Sequence, residues 1–239
     1  PSDRCNMRVL PVVLALARQA WQSVAQILGY VALQGAVMAK YQIMGRPLAG
    51  SFFAECLLQE AGVDYEFIWV SNTHSKTDEF AKTNPMGKVP VLVCPDGHQI
   101  IETLAILNHL IEAFPQLAPK VGDVSRDVMW QQLSVMATNL YPALHRIHHT
   151  YYYAPEEFLD GVRSMAVDAT GRFWDYLESQ LAPYLGGDAP SAADFYLIMM
   201  TRWAPDLDAV VAERPRLRGF VAAMEAHPTV SAVKDSHTK

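Results

Sequence analysis

Three observations predict an α/β domain followed by an all-α domain. Between residues 40 and 115, short apolar runs and helical stretches follow the order strand, helix, strand, then strand, strand, helix. Residues 115–122 carry two prolines and a glycine, a linker composition. From Asp123 onward no stretch reads as a convincing strand. The expected organisation is an extension of unknown role over 1–39, an α/β domain over 40–115 and a helical domain over 122–239.

Taken in order, Tyr41 to Met44 reads as a strand and Gly45 to Ser51 as a loop. Phe52 to Ala61 is an expected helix, with Gly62 as its stop. Tyr65 to Val70 is a second strand, and a short helical piece is expected near Asp78 to Lys82. Val89 to Cys94, the turn residues Pro95-Asp96-Gly97, and Gln99 to Ile101 form a predicted hairpin. Pro90 cannot donate to a ladder, so it suits a strand start, and a cis Val89-Pro90 bond would give a sharp entry. A helix follows from Thr103 to Phe114. The strand-helix-strand unit implies a right-handed parallel crossover, and the hairpin adds an antiparallel partner. In the second half Ser125 to Thr150, Glu156 to Leu181, Ser191 to Trp203 and Arg216 to His227 read as helices, the first bent at Pro142. Ser191-Ala192-Ala193-Asp194 is a capping box with Asp in place of Glu.

Within the extension, residues 12–28 read as an amphipathic helix. Met7-Arg8 and the apolar run to Leu16 also mimic a secretory signal. Met38-Ala39-Lys40 offers an alternative start directly before the first strand. Arg18, Gln19 and Gln22 interrupt the apolar run, so no membrane span is expected.

The chain has 239 residues and a formal net charge of −6, without a basic run, which argues against nucleic acid as a partner. Its three cysteines, Cys5, Cys56 and Cys94, show neither metal-ligand spacing nor a disulfide pattern. An odd count fits a reducing, cytoplasmic compartment. His145 and His149 stand i,i+4 on one predicted helix and could share a metal, but no third ligand of the right type follows nearby, so no metal is expected.

The most informative stretch is Asn84-Pro85-Met86-Gly87-Lys88-Val89-Pro90-Val91-Leu92, followed by Glu102-Thr103 at the head of an apolar run. A hydroxyl residue before a helical run is an N-cap signal. The strand edge at Val89 can pair with an extended peptide backbone. A helix N-terminus can hold a carboxylate. The combination suits a small extended peptide with an acidic end.

These two motifs and their spacing resemble the glutathione site of the cytosolic glutathione S-transferases, here of bacterial type, and the resemblance runs from Lys40 to the C-terminus. It implies a thioredoxin-like N-terminal domain with an all-α C-terminal domain. It also implies glutathione as co-substrate, with Val89 and Pro90 at its cysteinyl backbone and Thr103 on its γ-glutamyl carboxylate. Glu102 would face the ammonium group and Lys88 the glycine carboxylate. The family lowers the thiol pKa with a Tyr, Ser or Cys near the end of the first strand. Ser51 is the hydroxyl in that loop and the expected catalytic residue, at the N-cap of the first helix. It falls a few residues later than the serine of the theta and zeta classes, and about one later than the cysteine of the beta class. The second substrate is expected between the domains, near Tyr141, His145, His148 and Tyr152. The implied activity is thiolate attack on a small hydrophobic electrophile, a detoxification chemistry carried out by a homodimer. Two other readings share the fold: a non-catalytic binding module in a protein complex, and a glutathione-dependent disulfide reductase.

Overall fold

The computed structural model describes residues 40–237 apart from residue 48. The extension, with its expected helix, lies outside the described residues. The N-terminal domain runs β1 (Tyr41–Gly45), α1 (Ser51–Glu60), β2 (Tyr65–Trp69), a 3-10 turn (His74–Lys76), α2 (Asp78–Ala81), β3 (Val91–Val93), β4 (Gln99–Ile101) and α3 (Thr103–Ala113). The sheet order is β2-β1-β3-β4. β1 and β2 are parallel, while β1–β3 and β3–β4 are antiparallel. In β1 the alternation is visible residue by residue: Tyr41, Ile43 and Gly45 are buried, and Gln42 and Met44 are half-buried.

The Val89–Pro90 peptide is cis. β3 is shorter than expected and begins at Val91, because Pro90 has no N–H for the ladder. α1 starts one residue earlier than expected, at Ser51 with Gly50 as N-cap, and Gly62 follows it with φ +69°. Every residue from Ser51 to Leu58 is buried. A helix buried on all sides sits inside a core, and α1 is clasped between the sheet, α3 and the helical domain.

The helical domain comprises α4 (Val124–Val135), a π-turn (Met136–Leu140), α5 (Tyr141–His148), α6 (Leu159–Gln180), α7 (Ala192–Thr201), α8 (Leu207–Ala212), α9 (Pro215–Glu225) and α10 (Pro228–Ser236). The single helix expected over Ser125–Thr150 is thus divided. The π-turn ends just before Pro142, which lacks the N–H that would continue the ladder. α8 and α10 were not anticipated. α8 buries no residue, so it carries no periodic apolar signal. α10 does carry a start signal, Pro228 at its first position.

All ten residues of α7 are buried. The predicted capping box is present, and within it Asp194 accepts from the Ser191 N–H at 2.8 Å and the Ser191 hydroxyl at 2.9 Å. Its other oxygen accepts the Leu185 N–H at 2.8 Å. One continuous apolar core joins Ile43 and Leu92 of the sheet, through α1 and α3, to Met129, Trp174, Met200 and Met224 of the helical domain. A smaller cluster of Val70, Phe80 and Val91 packs separately. No helix among the described residues is long and apolar enough to cross a membrane.

Candidate functional site

Asn84 organises the loop before β3. It is buried, its amide donates to the Lys88 carbonyl at 2.7 Å, and its Oδ1 accepts the Met86 N–H at 2.9 Å. The Gly87 N–H closes the turn on the Asn84 carbonyl. One side chain therefore fixes both ends of a tight turn and sets the direction in which Lys88 and Val89 leave it. Val89 is half-buried and lies outside both ladders, while the Lys88 side chain is exposed.

The hairpin register places the second motif beside the first. Val91 pairs with Ile101 at the end of the ladder, so Val89 and Thr103, two residues beyond each, leave the same end of the hairpin. Glu102, the N-cap of α3, has φ +70° and ψ 127°. A residue with a Cβ is strained there. Thr103 is the first helical residue rather than the cap. Its hydroxyl is 3.4 Å from the Tyr196 hydroxyl on α7. Gly50 completes the convergence. A Cβ at that position would stand 3.0 Å from Pro90 Cδ and 3.3 Å from Thr103 Cγ2. The N-termini of α1 and α3 and the Pro90 ring therefore meet at one point, and the close approach leaves little room for any side chain at Gly50.

Ser51 is in this neighbourhood but is turned inward. It is fully buried; its hydroxyl donates to the Arg46 carbonyl at 2.8 Å and accepts the Arg46 N–H at 3.1 Å. A Cβ at Gly45 would come within 2.2 Å of Ser51 Cβ, so this packing requires glycine at the end of β1. The expectation that Ser51 is the N-cap of the first helix is corrected here. Gly50 is the cap, and the single hydroxyl proton of Ser51 is spent on the main chain of the β1–α1 loop.

Three of the four expected cleft residues form one aromatic wall. The Tyr141 and His145 rings lie 5.8 Å apart, and His145 stacks on Tyr152 at 6.1 Å with 16° between planes. The Tyr153 hydroxyl meets His145 Nδ1 at 2.8 Å. His148 points elsewhere, with Nε2 2.7 Å from the Trp203 carbonyl. Burial first, then the charges of His149 and Lys88, push His145 down to about 4, so its imidazole is neutral at pH 7. Burial and the charge of Glu102 raise the Tyr141 phenol.

His145 and His149 do face each other, with ring centroids 4.5 Å apart, but their Nδ1 atoms are taken by Tyr153 and Tyr151 hydroxyls. The described residues that do group as potential metal ligands are Cys94, His98 and His109. Sequence reading passed over this trio because its members come from a turn and a separate helix.

Two residues of the site carry roles that the sequence does not announce. Asn84 looked like a loop marker, yet it is the clamp. Tyr196 was hidden in the apolar run of α7. A tyrosine in a fully buried helix needs a partner for its hydroxyl, and that requirement was the available signal.

The family pattern described as Glutathione S-transferase, N-terminal domain matches residues 36–112, and Glutathione S-transferase, C-terminal domain matches residues 140–228. Glutathione S-transferase 4 of Zea mays is 31% identical over 192 residues, spanning 74% of this chain and 83% of that protein. The uncharacterized GST-like protein YncG of Escherichia coli (strain K12) is 29% identical over 169 residues, 69% of this chain and 82% of that protein. A sphingomonad glutathione S-transferase complexed with glutathione superposes with a TM-score of 0.72 at 27% identity, covering 82% of this chain and 98% of that one. Continuous similarity across both domains, with the motif residues converging as described, settles the ancestry: the chain belongs to the glutathione S-transferase family.

Proposed function

We propose that the protein binds glutathione across the Val89–Thr103 end of the hairpin and promotes attack of its thiolate on a small hydrophobic electrophile. The observation that carries the reading is the convergence of Pro90, the neighbour of Val89, with the first turns of α1 and α3 at Gly50. An extended γ-Glu-Cys-Gly would align its cysteinyl backbone with Val89, as an added strand. Its γ-glutamyl carboxylate would sit on the Thr103 hydroxyl and the free amides of α3. Glu102 would face the γ-glutamyl ammonium and Lys88 the glycine carboxylate. The sphingomonad structure, complexed with glutathione, supports the ligand class.

In this reading the sulfur faces the start of α1, where amide dipoles favour the thiolate over the thiol. Ser51 acts as a positioning residue, since its hydroxyl holds Arg46 and thereby the loop that sets that helix start. The electrophile would approach along Tyr141, His145 and Tyr152, where neutral His145 leaves no ion to be desolvated when an apolar group covers it. Assembly as a homodimer and a cytoplasmic location belong to the same proposal. Exposed Trp69 on the edge strand β2 and exposed Met86 supply apolar surface for a partner subunit.

Gly50 at the convergence point, with no side chain for the sulfur, favours a second reading as a glutathione-dependent disulfide reductase. There one glutathione thiolate attacks a substrate disulfide and expels a thiolate. A second glutathione then resolves the mixed disulfide, leaving oxidised glutathione and two substrate thiols.

The test is titration calorimetry of the full chain with glutathione, paired with ultraviolet titration of the bound thiol. Binding with a bound-thiol pKa below the free value of about 8.5 supports the proposal. Failure to bind at millimolar glutathione would overturn both readings. Turnover of an aromatic halide but not of a small mixed disulfide separates the first from the second.

A further inference from the structure

We propose that Cys94, His98 and His109 form a binding site for a borderline divalent metal ion of the zinc type, separate from the glutathione site. Cys94 directly follows β3, His98 comes after the hairpin turn, and His109 lies on α3. The Cys94 sulfur, one nitrogen of His98 and one of His109 all lie within 4.8 Å of one another. Two ligand atoms on one tetrahedral zinc, at about 2.3 Å for sulfur and about 2.0 Å for nitrogen, stand about 3.5 Å apart. Cys94 Sγ and His109 Nε2 are already 3.4 Å apart. The remaining pairs need to close by at most about 1.5 Å, a movement open to the exposed His98 ring.

The surroundings support the assignment. Asp96 Oδ1 is 2.6 Å from His98 Nδ1, the carboxylate contact that fixes a histidine tautomer and presents Nε2 as a ligand. Thiolate plus two imidazoles is a donor set matched to zinc, cobalt or copper rather than to magnesium or calcium. The Tyr41 hydroxyl is 3.2 Å from His109 Nε2 and must yield that bond when a metal takes the nitrogen. Binding also releases the Cys94 thiol proton to solvent. Cys94 and Pro90 flank opposite ends of the three-residue β3, so the metal would not compete for the Val89–Thr103 end. Its structural effect would be to pin the β3–β4 turn to the middle of α3.

The experiment is cobalt(II) titration of the full chain in glutathione-free buffer, followed by absorption, with zinc(II) as competitor and thermal unfolding as a second readout. The expected result is one ion per chain with a thiolate-to-cobalt charge-transfer band, displaced by zinc, and a higher Tm with zinc. Cys5→Ala/Cys56→Ala should keep the band and His98→Ala should weaken binding at least tenfold. His98 is on the surface, so its removal leaves the core intact even where Cys94→Ser disturbs folding. Cobalt bound without a thiolate band, equal affinity in His98→Ala, or no binding would each overturn the site. Loss of a band in Cys5→Ala alone would assign it to Cys5 and overturn the site as well.

Discussion

Thr103 Oγ1 lies 3.4 Å from the Tyr196 hydroxyl, joining the first turn of α3 to the buried helix α7. Burial raises the Tyr196 phenol to about 12, so it is a neutral hydroxyl at working pH. It can donate to Thr103 and leave the threonine proton for an incoming carboxylate. Thr103→Ala should weaken glutathione binding by about 1–3 kcal/mol. Tyr196→Phe keeps the threonine and should cost less than about 1 kcal/mol of binding. Calorimetry on both variants checks the ranking, and equal affinity of Thr103→Ala and wild type would remove Thr103 from the site.

Ser51→Ala should act on stability before it acts on sulfur chemistry. The change strands the Arg46 N–H and carbonyl beside a buried methyl group, which should cost about 1–3 kcal/mol in chemical unfolding. The pKa of bound glutathione should stay close to the wild-type value. A rise of a full unit without loss of stability would mean instead that the hydroxyl leaves Arg46 and donates to the sulfur.

Much of this was readable in the chain because local signals agreed with the tertiary result. The Asn84 to Leu92 run, the Pro95-Asp96-Gly97 turn and the apolar run after Thr103 each encode their element over a few residues, and the hairpin register follows. Ser51 was misread because both an N-cap and a first helical residue look like a serine before an apolar run. What separates them is the contact with Gly45 and Arg46, which depends on how β1 meets α1. The Cys94, His98 and His109 group was invisible for a related reason. Its members span a turn and a helix, and only the packing of α3 on the hairpin brings them together.

Glu55 should make stability fall as pH rises. Its carboxyl is fully buried in α1, beside His237 Nε2 at 2.9 Å, and burial pushes its pKa up to about 8. Between about pH 4.5 and 8 the unfolded chain ionises this group while the folded chain keeps the proton, so the native state loses ground across that window. His237 is shifted the other way by burial and loses stability only on the acid side, below its ordinary range. Glu55→Gln keeps the shape and removes the ionisation. Its stability relative to wild type should increase from pH 5 to pH 8, by an amount on the order of 3 kcal/mol. Parallel urea unfolding at the two pH values reads the difference, and a constant offset would show that Glu55 does not hold its proton.

Asn84 should matter to binding more than any residue expected to touch the ligand, because it places main-chain atoms that no substitution at Val89 can remove. Asn84→Ala loses the donor to the Lys88 carbonyl and the acceptor for the Met86 N–H, and it leaves a buried gap. Two lost bonds and the gap should cost about 2–4 kcal/mol in stability. Glutathione affinity should fall further than in Thr103→Ala, since the turn no longer fixes the Lys88 carbonyl from which Val89 departs. Asn84→Asp separates the two bonds: it keeps an acceptor for Met86 but sets a carboxylate oxygen against the Lys88 carbonyl. If the Lys88 contact positions the site, the Asp variant should bind glutathione as poorly as the Ala variant. Near-normal binding by Asn84→Asp would move the control of Val89 to the Met86 end of the turn.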